Sequence, residues 1–301
     1  MKHQNISIIF VPGIRTKPPP NLHSEQLCRC LEAGITRAGG SSAEAAVLAE
    51  AFNLVGWSRA FYGEHADIML DMPGVERLLR GEDKEEDDLR EAQSFSRRFT
   101  GMLYALVDQF PILGSKFSTR RMQSRVHEIN RYFSNADGAA TAARQQVAGE
   151  IKQAWANEQK VLLIGHSFGS VIAYDTLWEL SRAGTQDEVD LFLTMGSPLT
   201  MSYIRQHLQG AKLRGKDRYP ACIRRWMNLT AVGEVTSLDR RLSHCFAKMQ
   251  LLGLLESIDD DLKLINQFHG PDGLNVHECY GYFASQKAGQ VLLDWYRAGS
   301  I

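Results

Sequence analysis

The sequence predicts an α/β fold, a mostly parallel central sheet with helices on both faces. Three observations predict it. Short apolar runs rich in β-branched residues and leucine recur along the chain, as strands buried on both faces require. Longer stretches with helical spacing alternate with them. One run, VLLI at 161–164, leads directly into Gly165-His166-Ser167-Phe168-Gly169 and then into a helical stretch.

The elements follow in order. ISIIFV at 6–11 reads as a doubly buried strand. Residues 12–20 form a Pro-rich loop with Gly13 available for unusual dihedrals. Residues 24–38 read as a helix with Ser24 as its cap. Residues 50–55 look like a second strand, followed by Trp57 and Tyr62. The segment at about 71–125 differs in texture. Acids dominate 82–91, and Phe95, Phe99, Met102, Leu103, Leu106, Val107 and Phe110 then recur at helical spacing. It reads as a helical insertion, either a cap over a site or a packed surface pair. Helices are expected at 125–133 and 139–157, and the strand at 161–164 is followed by a helix at 170–183. Further strands are expected at 191–195, 225–230 and 262–268, and a closing helix at 286–296. The 301 residues are thus read as one domain carrying one insertion.

Composition narrows the function classes. The chain is 44% hydrophobic and 23% charged, an ordinary globular balance, with a net charge of −1. No whole-chain field favours nucleic acid or an anionic membrane. The basic pairs Arg120-Arg121 and Arg240-Arg241 read as solvated surface. Five scattered cysteines, Cys28, Cys30, Cys222, Cys245 and Cys279, suggest free thiols in a reducing compartment. There is no secretory signal and no apolar run of roughly 18 residues, so a cytoplasmic location is expected. No nucleotide-loop or zinc pattern is present, so neither cofactor nor metal is expected.

The pentapeptide Gly165–Gly169 fits G-x-S-x-G. The motif is weak alone, but its strand–turn–helix setting is what a nucleophile elbow requires, and it makes Ser167 the expected nucleophile. A serine hydroxyl needs a base to take its proton. The base should lie downstream of an acid, and His244, His269 and His277 come late enough. His277, in the loop before the closing helix, is preferred. His269 is second and His244 reads as surface. His166, inside the elbow, reads as packing or support. The acid should follow the strand ending near Thr230. Glu234, after Gly233, is preferred to Asp239, which sits beside two arginines. An oxyanion needs two backbone N–H groups. Phe168 should give one, and the loop after the first strand the other. Pro12 has none to give, so Ile14 is preferred, with Gly13 or Arg15 as alternatives.

Several segments resemble the bacterial α/β-hydrolases, the lipase-like serine esterases. They are IIFVPGI, LVGWSRAFYG, VLLIGHSFGSVIAYDTL, FLTMGSPL, RRWMNLTAVGEVTSLD and NVHECYGY. The resemblance spans most of the chain. It implies the α/β-hydrolase fold and a Ser-acid-His triad in the W-x-N strand, acid-loop and H-x-x-Y arrangement. Two positions depart from the family pattern: Pro12 stands where the family has a His before Gly, and Glu234 stands where it has Asp. The expected activity is hydrolysis of a carboxylic ester through an acyl-enzyme, with a lipid or long acyl chain suggested by the apolar stretch 95–110. A thioesterase or amidase with the same nucleophile, and a scaffold that binds a ligand or partner without turnover, are the alternatives. The oligomeric state is not expressed in the sequence.

Overall fold

The computed structural model describes residues 5–81, 85–93, 120–234 and 241–299. The stretch 95–110 and Asp239 lie outside them.

Six strands form one sheet: β1 (Ile6–Val11), β2 (Phe52–Leu54), β3 (Lys160–His166), β4 (Val189–Met195), β5 (Ile223–Ala231) and β6 (Ser257–Leu264). The spatial order is β2-β1-β3-β4-β5-β6, and every pairing is parallel. A short antiparallel hairpin, β7 (His269–Gly270) with β8 (Gly273–Leu274), stands apart. The apolar runs become central strands because both their faces are covered. In β1, Ile8 and Phe10 enter one core, whereas Ile9 and Val11 enter the other. Leu162 and Ile164 of β3 oppose Val161 and Leu163 in the same way. This is the two-residue period of a strand working on two helical layers.

One layer is α1 (Pro20–Arg37), α2 (Ser42–Glu50), α4 (Met72–Arg80), α11 (Cys279–Ala284) and α12 (Gln286–Arg297), which share a core with one sheet face. The other is α3 (Trp57–Tyr62), α6 (Arg120–Ser134), α7 (Ala139–Ala156), α8 (Gly169–Arg182) and α10 (Leu242–Leu251). Among the described residues, two further helices, α5 (Glu85–Ala92) and α9 (Ser202–His207), lie in the connections.

Some expectations shift. The first helix begins at Pro20, not Ser24, because proline suits the first helical position, where no N–H is needed. The second strand contracts to Phe52–Leu54, since α2 runs to Glu50. The last strand is Ser257–Leu264 rather than 262–268. It is an edge strand, so one side can carry the aspartates that make SIDDDLKL look like a loop. Asp260 earns its place by accepting from the Leu242 and Ser243 amides at the start of α10, each at 2.9 Å. Asp261 pairs with Lys287 at 2.9 Å.

The described parts of the 71–125 segment are helical. Val75 and Leu78 of α4 are buried in the main core, so α4 belongs to the body. All five cysteines are free thiols. Among the described residues, no helix is long and apolar enough to cross a membrane.

Candidate active site

The site is assembled at the carboxyl ends of β1, β3, β4 and β5. Strand β3 ends at His166, α8 starts at Gly169, and Ser167 occupies the turn with φ +51°, in the left-handed region. The flanking glycines have a different task. A Cβ on Gly165 would lie 2.5 Å from the Ser170 Cα, and one on Gly169 would run into the Val11 carbonyl. They let α8 start tight against β3 and the loop after β1. Ser170 closes the turn, donating to the Ser167 carbonyl at 2.6 Å and contacting the Ser197 hydroxyl at 2.7 Å.

His277 reaches Ser167 from the loop between β8 and α11. Its Nε2 lies 2.8 Å from the Ser167 Oγ, and its Nδ1 lies 2.6 Å from Glu234 Oε2. Nδ1 therefore donates to the carboxylate, which leaves Nε2 as the atom that faces the hydroxyl. The Glu234 side chain is 1% exposed and that of His277 is 27% exposed. The carboxylate is shielded while the imidazole edge stays open to solvent. The additional methylene of glutamate causes no misfit, because Glu234 sits in a turn closed by its own amide donating to the Ala231 carbonyl at 3.1 Å. Gly233 makes that turn at φ +81°. A side chain there would also meet the Ala92 carbonyl at the end of α5.

Sequence reasoning missed the residues that hold this pair. The Tyr282 hydroxyl accepts from the Ala231 amide at 3.0 Å and donates to Glu234 Oε2 at 3.4 Å. Burial, then the Glu234 charge, pushes its own ionisation far above the ordinary range, so it stays a donor. Gly196, at φ +55°, lies under the pair. A Cβ there would come within 3.1 Å of Glu234 Oε2 and 3.3 Å of His277 Nδ1. The base loop is held by its carbonyls. Asn266 Nδ2 donates to those of Val276 at 3.0 Å and Glu278 at 2.8 Å. His166 Nε2 donates to that of His277 itself at 2.8 Å. Burial, reinforced by the neighbouring His277, drives the His166 pKa well below 6.5, so its ring is neutral. His166 thus links the turn at Ser167 to the His277 loop. The H-x-x-Y wording hinted at Tyr280, two residues short of the tyrosine that reaches Glu234. Nothing in the sequence marked Asn266.

The loop after β1 passes directly beside Ser167. A Cβ on Gly13 would lie 2.8 Å from the Ser167 Cβ and 3.3 Å from its Oγ. Trp57 Nε1 anchors this loop by donating to the Pro12 carbonyl at 2.9 Å. The Arg15 amide donates to the Tyr62 hydroxyl at 2.8 Å, and that hydroxyl donates to Glu128 at 2.8 Å. Arg15, itself at φ +87°, therefore has its amide committed elsewhere. That leaves Gly13 and Ile14 as the candidate oxyanion amides of this loop, beside that of Phe168. Phe168 is buried edge-on against Tyr132, with ring centroids 5.1 Å apart.

The other histidines go elsewhere. His269 Nε2 lies 3.3 Å from Asp88 of α5, and His244 is exposed on α10. Among the described residues, no cluster of three His, Cys, Asp or Glu side chains could hold a metal ion. Comparison with known protein families, curated proteins and solved structures finds no match to this chain.

Proposed function

We propose that this chain is a serine hydrolase of the α/β-hydrolase type, cleaving a carboxylic ester through an acyl-enzyme and without a cofactor. The observation that carries the reading is the unbroken line Ser167 Oγ, His277 Nε2, His277 Nδ1, Glu234 Oε2, with separations of 2.8 and 2.6 Å on either side of the ring. The turn geometry of Ser167 and the order Ser, Glu, His along the chain support it.

In this reading Ser167 Oγ attacks the acyl carbon while His277 Nε2 takes its proton. Glu234 holds the tautomer and stabilises the imidazolium that forms. The negative charge on the former carbonyl oxygen is met by the amides of Phe168 and Ile14. His277 then passes its proton to the departing alkoxide, leaving the acyl group on Ser167. A water, deprotonated by the same nitrogen, attacks the acyl-enzyme. The carboxylic acid leaves and Ser167 recovers its proton.

A fluorophosphonate should label Ser167 in the folded protein. Ser167→Ala should abolish both labelling and hydrolysis of short and medium p-nitrophenyl esters, a loss of roughly 10⁴- to 10⁶-fold. A folded protein that resists labelling and shows no turnover would sink the reading in favour of a binding scaffold. Faster turnover of thioesters or amides than of matched esters would reassign the bond.

A further inference from the structure

A cavity of about 240 Å³ opens between α8, α9, the 208–219 loop and α10. Its walls include Tyr174, Ser202, Arg205, Gln209, Arg218 and Tyr219. Tyr174 lies seven residues after Ser167, about 10 Å further along the helical rise, so this is a different place from the nucleophile.

Its charge is one-sided. Among the described residues, neither Arg205 nor Arg218 makes an ion pair. Arg205 donates only to a hydroxyl, that of Ser202 at 3.3 Å, and its Nε is buried with no acceptor. Arg218 donates to the Ala211 carbonyl at 2.8 Å. The acids nearby are engaged elsewhere. Asp217 pairs with Arg182, and Asp175 takes the Gln209 amide at 2.8 Å and the Tyr132 hydroxyl at 3.0 Å. Among the described residues, no carboxylate lines the cavity. A buried guanidinium N–H without an acceptor is costly, and an anion would repay it.

We propose that this cavity binds a phosphoryl group, carried by a small phosphomonoester or as free phosphate. A carboxylate can be satisfied by one arginine, two bonds on one fork. Here two arginines from separate elements line the cavity, with Tyr174 and Ser202 among the same walls, and two cationic side chains suit an oxyanion with acceptors on several sides. The site is independent of the ester chemistry at Ser167.

The experiment uses the full chain at constant ionic strength, with inorganic phosphate and glycerol 3-phosphate as probes and chloride as control. Calorimetric titration should show one saturable site for at least one probe. Arg205→Gln and Arg218→Gln should each weaken it at least tenfold while the melting profile and Ser167 labelling are retained. If only glycerol 3-phosphate binds, the ligand is a phosphomonoester; if both bind equally, it is the free anion. In the wild-type chain, the bound probe should also protect Arg205 and Arg218 from phenylglyoxal, read by peptide mass, which needs no variant to fold. Absence of saturable binding by both probes, or binding that neither substitution weakens with no protection of the two arginines, overturns the proposal.

Discussion

The His166 ring donates from Nε2 to the backbone carbonyl of His277 at 2.8 Å, tying the turn at Ser167 to the His277 loop. With Asn266 on the carbonyls either side, three successive carbonyls of the base loop are held by buried side chains. Position, rather than chemistry, is what they supply. His166→Ala should lower kcat about 10- to 100-fold with KM little changed, since small displacements of a reacting group cost about that much. Asn266→Asp, which replaces the donor with an acceptor, should do the same and also lower Tm. Steady-state kinetics and thermal melts check both. Full activity in either variant would show that the loop holds itself.

Glu234 and Gly196 form a second test. Glu234→Gln keeps the shape but not the charge, and kcat should fall roughly 10²- to 10⁴-fold. Glu234→Asp shortens the side chain by one methylene and should lose nearly as much, because the turn at Gly233 sets the reach. Gly196→Ala should cost stability, on the order of 1–2 kcal/mol, from its left-handed backbone, and should lower kcat by crowding His277 and Glu234. Denaturant melts with ester kinetics separate the two effects.

Tyr62→Phe leaves the Arg15 amide without its acceptor and should loosen the loop beside Ser167. The expected signature is a fall in kcat of roughly tenfold with fluorophosphonate labelling of Ser167 slowed but not lost. An unchanged labelling rate would remove this loop from oxyanion stabilisation.

Asp175 gives a pH test with a definite sign. Burial, against the Gln209 amide and Tyr132 hydroxyl that favour its charge, holds its carboxyl up at about 7, above the ordinary 3.8. Between those values the folded chain keeps a proton that the unfolded chain has released. This group's contribution to stability therefore falls as pH rises from about 4 to about 7 and is level above. Asp175→Asn should remove that decline. The difference between wild-type and variant unfolding free energies, measured at pH 5 and pH 8, should change by on the order of 2–4 kcal/mol. A pH-independent difference contradicts it.

The central strands were legible because burial on both faces leaves an unbroken apolar run, as in ISIIFV and VLLI. The edge strand was not, because Asp259, Asp260 and Asp261 break the pattern that a buried strand must keep. α2 went unread although Ser41 and Glu44 form a capping box, with the Ser41 hydroxyl accepting from the Glu44 amide. Ser167, His277 and Glu234 could be picked by chain order and loop position. Their supports could not, since Asn266 and Tyr282 act through distances that only folding creates, and neither carries a local motif. Arg205 and Arg218 were equally silent: unpaired arginines look like any others until the acids around them are seen to be taken.

The left-handed turn at Ser167 also sets a limit on how stable this fold can be. A residue with a Cβ is held there at φ +51°, a conformation that disfavours L-residues by roughly 1–2 kcal/mol. The chain would therefore hold together better with glycine at 167 than with alanine, by about 1 kcal/mol after glycine's greater chain entropy is counted. Comparing Ser167→Gly with Ser167→Ala, both without the hydroxyl, isolates that difference. Selection for stability alone would favour glycine over serine at this turn.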